Sequence, residues 1–164
     1  EYLDKARKLA VFLKSKLKHV PESDYYLWAY RQNADAAPGT GEDVSHAAIN
    51  ARFAYTAWRY GASFDDTDMA RLTRTFTKGL YLGDGQFAET LGGRRAGTTY
   101  TPQLGRWAYI SLFDPTVELL LRQFMATHPG LMEAGGTTSA LGFAYLLRAR
   151  RQLLEGAQGA RLAE

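Results

Sequence analysis

Apolar residues recur at helical spacing along most of this chain, and glycine and proline cut the periodic stretches apart. That combination of period and punctuation restricts the fold to a set of short helices. From Tyr2 to about Lys18, Leu3, Ala6, Leu9, Ala10, Leu13 and Leu17 repeat as on one helix face, with Lys5, Lys8, Lys16 and Lys18 on the others. Pro21 ends the pattern, because it pushes the residues before it out of helical conformation. The next run, Tyr25 to Tyr30, alternates Tyr26, Trp28 and Tyr30 as an extended segment would, although a short helix also accommodates it.

A second helix is expected from the Glu42–Asp43 region to about Tyr60, capped by Thr40, Asp43 or Glu42 and stopped at Gly61. Phe64-Asp65-Asp66-Thr67-Asp68 opens a third, whose buried stripe is Met69, Leu72, Phe76 and Leu80 and whose end lies near Tyr81. Residues 82 to 103 are glycine-rich and irregular, the mark of a functional or flexible loop. Short helical runs then cover Leu104 to Leu112 and Thr116 to His128, the latter opened by Asp114-Pro115 and ended by Pro129-Gly130. A last helix is expected from about Thr138 to Leu154, with Leu141, Tyr145 and Arg148 on one stripe and Phe143, Leu147 and Leu154 on another. The expectation is one all-α domain over residues 1 to 155, five to six helices in paired arrangement with no sheet, and a fraying tail over 156 to 164. Alternation of small or aromatic faces with ordinary amphipathic ones fits helix pairs set in an arc or toroid.

Composition narrows the function classes. The 164 residues are 46% hydrophobic and 23% charged, which suits a folded globular domain and not a disordered one. Net charge is only +3, too small an excess to argue for nucleic acid, while an acidic polysaccharide suits it equally well. Cysteine is absent, so disulfides, thiolate metal sites and cysteine nucleophiles are excluded. No apolar run reaches the ~20 residues of a membrane span. The chain opens inside a helical pattern, so a mature form or a piece of a longer protein, with further helices or domains outside it, is expected.

Chemistry concentrates around residues 38 to 50. Glu42, His46 and Asn50 stand four apart, which places all three on one stripe near the amino end of the helix that starts there. Tyr25, Tyr26, Trp28, Tyr30, Arg31 and Asn33 precede them, and Phe53, Tyr55, Trp58 and Tyr60 follow. An imidazole can act as base or acid, so His46 is the candidate for that role, with Glu42 orienting it; the alternative is that His46 bonds to a loop carbonyl while Glu42 and Asp43 merely cap the helix. Tyr26, Trp28, Tyr30 and Trp58 could form a stacking platform for sugar rings or could pack in the core. Arg31 offers a planar fork to a carboxylate, and Asn50 could donate to one. Asp43 and His46 could touch one metal ion, but no second histidine lies nearby and no metal-site motif is present, so no cofactor is expected. Arg94 and Arg95 are either solvated or reach over a cleft.

Trp28-Ala-Tyr-Arg-Gln-Asn, then Gly41-Glu-Asp-Val-Ser-His-Ala with aromatic residues down the next helix, then Phe64 leading into a helix, then Leu112-Phe-Asp-Pro, together resemble segments of the α/α-toroid superfamily. That superfamily includes polysaccharide lyases, glucuronyl C5-epimerases and six-hairpin glycosidases. The likeness runs over residues 25 to 125 and transfers no catalytic role; a complete toroid has roughly twice the helices, which implies a partial toroid or a fragment. It implies a carbohydrate-active domain acting on a polysaccharide or oligosaccharide, with a periplasmic or extracellular setting. For a lyase or epimerase, His46 or a tyrosine such as Tyr30 would remove the proton next to a uronate carboxylate, and Asn50, Arg31 or Arg52 would neutralise that carboxylate. A glycosidase would need two spaced carboxylates, drawn from Glu42 or Asp43 with Asp84 or Glu89. The rival reading is a helical interaction or glycan-binding scaffold without catalysis.

Overall fold

A computed structural model describes residues 1–31, 37 and 40–161, the last stretch as backbone alone at 153 and 156–161. Asn33 and the Pro38-Gly39 turn fall outside the described residues. The molecule is mostly helical, as the periodicity requires, with two small antiparallel hairpins that the sequence did not reveal.

Helix α1 (Tyr2–Lys16) buries only Ala10 completely, so the apolar stripe is shallower than its spacing suggests; Leu3 and Leu9 stay exposed while Leu13 packs on the core. Leu17 turns extended, and strand β1 (Lys18–Val20) pairs with β2 (Tyr25–Leu27) in the register His19 opposite Tyr26. Pro21 disfavours helix here and the aromatic run suits a strand, which resolves the ambiguity for Tyr25 to Leu27, while Trp28 to Tyr30 lie beyond the strand in neither helix nor sheet. Asp24, at φ +51°, closes the turn and accepts from Arg71 Nε at 2.8 Å and Arg74 Nη1 at 2.7 Å.

The segment before the second helix lies between two others. Glu42 N–H donates to the Trp28 carbonyl at 3.0 Å, and the Glu42 carbonyl accepts from Leu91 N–H at 2.9 Å. Val44 N–H then reaches the Glu89 carbonyl at 2.8 Å. A Cβ on Gly41 would stand 2.5 Å from the Leu91 oxygen, so only glycine lets the strands approach this closely. Helix α2 (Val44–Arg59) is capped by Asp43, whose Oδ1 accepts from Ser45 and His46 amides at 3.0 and 3.1 Å. Ala47, Ala48, Ala51, Ala54 and Ala57 are all buried. Their small size brings α2 against a 3₁₀ segment, Thr101–Leu112, where Trp107 Nε1 donates to the Val44 carbonyl at 3.0 Å.

Helix α3 (Asp66–Arg74) opens with a capping box in which Asp65 and Asp68 bond each other's amides at 2.9 Å. Met69 and Leu72 are buried as expected, but the α-helix stops at Arg74 and continues as a π turn, Thr75–Leu80. Thr75 Oγ1 donates to the Tyr26 carbonyl at 2.9 Å and accepts its amide at 3.1 Å, which satisfies the edge of β2. A tight hairpin of β3 (Tyr81–Gly83) and β4 (Gln86–Phe87) follows.

Helix α4 (Thr116–Thr127) has the expected buried stripe of Val117, Leu120, Leu121 and Phe124, and Asp114 takes the Thr116 amide at 2.8 Å. The helix ends at Thr127 with His128 out of helical conformation, as the Pro129-Gly130 signal suggested, but Pro129 also opens a short helix that was not expected, α5 (Pro129–Gly135). Proline suits a first helical position because its missing N–H would have no partner there. Helix α6 (Thr137–Arg161) passes the expected end at Leu154 and lies against the 3₁₀ segment, with Phe143, Leu147 and Leu154 exposed. Among the described residues no helix is long and apolar enough to cross a membrane.

Candidate functional site

Three segments meet at the start of α2: the end of β2 with its continuation to Arg31, the stretch Gly41–Asn50, and the loop from Glu89 to Thr99. Glu42 is at their centre. It is only 4% exposed, and its Oε2 accepts from Asn50 Nδ2 at 2.8 Å and from the Trp28 indole N–H. Burial pushes the Glu42 carboxyl above the usual carboxylate range, and the bonds from Asn50 and Trp28 only partly offset this. Asn50 spends one amide hydrogen on Glu42, so its Oδ1 is turned elsewhere. It therefore keeps its second amide hydrogen and its carbonyl oxygen for a ligand, so the donor role expected from the sequence is joined by an acceptor.

His46 does not pair with Glu42. Its partner is the neighbouring Asp43, whose Oδ2 lies 2.6 Å from His46 Nδ1 while Oδ1 caps the helix. A carboxylate accepts here, so Nδ1 carries the proton and the Nε2 lone pair is free. The Tyr30 ring meets the His46 ring edge-on, centroids 5.0 Å apart, and Tyr30 is 61% exposed. These residues form an accessible imidazole oriented by a carboxylate, beside a phenol.

Next to this pair, α1 and α2 enclose a cleft of about 280 Å³. Phe12, Phe53 and Tyr30 supply apolar surface, Asn50 is polar, and Lys16 and Arg31 bring positive charge. The sequence reading missed the α1 wall, although Leu9, Phe12, Leu13 and Lys16 at i, i+3, i+4 and i+7 mark one face.

The other aromatics do not form a platform. Trp28 contributes to the cleft wall but is only 2% exposed, and Tyr26 is buried, so neither offers an open ring; Tyr26 O–H donates to Asp68 Oδ1 at 2.7 Å, with Arg71 stacked 5.7 Å from the ring centroid. Trp58 sits twelve residues along α2 from His46, about 18 Å. It packs on Tyr55 and Phe113 and donates to Asp66 at 2.7 Å, remote from the cleft. Arg52 faces a separate hollow and lies 5.8 Å from the Tyr145 ring centroid. Ser45 Oγ accepts from Arg106 at 2.9 Å. Glu89 accepts from the Thr99 and Tyr100 amides, and Asp84, at φ +49°, is in the β3–β4 turn. Among the described residues, no three His, Asp or Glu side chains converge as a metal-binding group.

The raised carboxyl carries an expected pH effect. A carboxyl whose folded pKa exceeds its unfolded value weakens folding as pH rises from the unfolded value through the folded one. Glu42→Gln, which keeps an acceptor for Trp28 and Asn50, should remove that loss. Denaturant unfolding of both proteins across the acidic to neutral range should show the variant gaining on the wild type as pH rises; parallel curves would mean that burial of Glu42 costs nothing.

Compared with protein-family models, with curated proteins and with solved structures, the chain matches none.

Proposed function

We propose that the α1–α2 cleft binds one sugar of a uronate-containing polysaccharide, and that His46, held by Asp43, removes the proton next to its carboxylate. The observation that carries this reading is the 2.6 Å Asp43–His46 pair standing edge-on to Tyr30, which itself lines a cleft together with Asn50 and Arg31. The volume is near the low end of the ~300–1,000 Å³ of small-molecule sites, room for one ring and not for a run of them. Phe12 and Phe53 give apolar surface for a ring face, Asn50 accepts from a hydroxyl, and Arg31 faces the carboxylate with its two-pronged donor.

Removal of the C5 proton by His46 Nε2 leaves charge spread into the carboxylate, which Arg31 and Lys16 stabilise. In elimination, the electron pair forms the C4–C5 double bond, the bond to O4 breaks, and the leaving oxygen takes a proton from Tyr30. In epimerisation, C5 is reprotonated from the opposite face. A partial α/α toroid of paired helices is the arrangement that fits this reading.

The test is incubation with a panel of polyuronates in deuterium oxide. Either ultraviolet absorbance from an unsaturated uronate or deuterium at C5 supports proton abstraction; neither, on any polymer, removes the catalytic reading. One observation favours the second reading, a glycan-binding scaffold: Trp28 and Tyr26 are spent on the core, and Glu42 on holding Asn50. Saccharide binding without either chemical signal would identify it.

A further inference from the structure

Beside the segment that leads into α2, the loop after β4 encloses a second hollow of about 570 Å³. Its lining includes Glu89, Thr90, Arg94, Arg95, Thr98 and Thr99. The backbone joins it to the Asp43–His46 pair: Asp43 bridges to Thr90, and Val44 N–H bonds the Glu89 carbonyl.

The charges here are unbalanced. Arg94 and Arg95 are exposed and have neither ion pair nor hydrogen bond among the described residues. Glu89 is the only acid in the lining, and its Oε1 accepts the backbone amides of Thr99 and Tyr100. That carboxylate therefore fastens the loop. A Cβ on Gly97 would fall 2.3 Å from the Glu89 Cδ, so the bare glycine is what lets the carboxylate lie against the loop. Two guanidinium groups beside threonine hydroxyls make a donor-rich basin, and an oxyanion is the group such donors satisfy.

We infer that this basin is a second subsite, which takes the carboxylate or sulfate of a sugar further along the chain whose other residue occupies the α1–α2 cleft. The inference rests on the carbohydrate reading for its ligand, though not for its anion chemistry. One subsite of about 280 Å³ holds one ring, and a second anchor converts a weak single-site contact into a bivalent one. Binding should weaken with ionic strength, as expected for exposed charges.

Three probes test this on the full chain with ¹⁵N-labelled protein: inorganic sulfate, short and long oligouronates, and sulfated oligosaccharides of matched length. Arg94→Ala with Arg95→Ala is the variant, and unchanged α2 and α6 amide signals establish that it folds. Long oligomers should bind the wild type roughly tenfold or more tighter than short ones, the size of one charge-assisted contact, and the double variant should lose that gain while binding short oligomers unchanged. Comparison of uronate with sulfated oligomers identifies which oxyanion is preferred. Equal affinity of the variant and wild type for long oligomers overturns the inference. If no saccharide binds but sulfate shifts the Gly93, Gly97, Thr98 and Thr99 amides in the wild type and not in the variant, the carbohydrate reading fails and the anion site stands. If sulfate moves none of them and no saccharide binds, both fall.

Discussion

Replacing Asp68 with alanine is expected to remove about 2–4 kcal/mol of stability, from an unpaired buried hydroxyl, a lost cap bond and an ion pair whose lysine is 37% exposed and so partly screened by water. Asp68 is 2% exposed and holds three elements together: its Oδ2 accepts from Lys14 Nζ of α1 at 2.6 Å and from the Asp65 amide at 2.9 Å, and its Oδ1 accepts from the Tyr26 hydroxyl of β2. Alanine leaves the Tyr26 O–H without an acceptor, although Arg71 Nη1 still reaches its oxygen at 3.4 Å, and it removes the main bond between α1 and α3. Asp68→Asn keeps the shape and one acceptor, so it should cost less, about 1–3 kcal/mol. Urea unfolding of the three proteins measures this; a loss under about 1 kcal/mol for alanine would mean that the network is dispensable. The effect should also depend on pH. Burial acts to raise the Asp68 carboxyl, but the bonds from Lys14, the Asp65 amide and Tyr26 outweigh it and hold the group below the usual carboxylate range. Its contribution is therefore present above the unfolded carboxyl value and fades as pH falls through the folded one, so the gap between wild type and alanine variant should narrow in acid.

His46→Gln should lower turnover on any polyuronate substrate by about 10²- to 10⁴-fold, the usual contribution of a positioned base, while saccharide affinity stays within about twofold. Glutamine preserves bulk and polarity at an exposed position, so the fold should be unaffected. Asp43→Asn should fall between wild type and His46→Gln: asparagine still caps α2, but it no longer supplies the carboxylate that fixes the proton on Nδ1. Single-turnover rates beside binding isotherms separate the two effects. Full turnover in His46→Gln would move the base elsewhere, with Tyr30 next in line.

The helices were legible because their buried stripes repeat, as at Met69 and Leu72 or at Val117, Leu121 and Phe124. Helix α5 was not, since a proline that can end one helix can equally begin another, and the local sequence does not say which. The hairpins are two or three residues per strand, too short to show an alternation. At the site the error was one of phase. Glu42 and His46 are four apart, but Val44 is the first helical residue, so the helical rule does not reach back to Glu42. Glu42 and Asp43 are instead extended, and successive extended side chains point to opposite faces: Glu42 turns inward to Trp28 and Asp43 outward to His46. The same rule explains the aromatics. Trp28 follows a buried strand into the core, whereas Tyr30 lies beyond its end and is free to face solvent.

Helix α1 supplies one whole wall of the cleft yet commits little of its own surface to the body of the molecule, with Ala10 alone fully buried and Lys14 pinned to Asp68. A wall with so few buried side chains is expected to belong to the part of a fold that opens at lower free-energy cost than the rest, so the cleft should be complete only in the fraction of molecules whose first helix is docked. Apparent affinity is reduced by that same fraction, and a ligand touching both walls must favour the docked state in return. Substitutions at the Lys14–Asp68 contact, which meets no ligand, would thus change binding by changing how often the site is assembled.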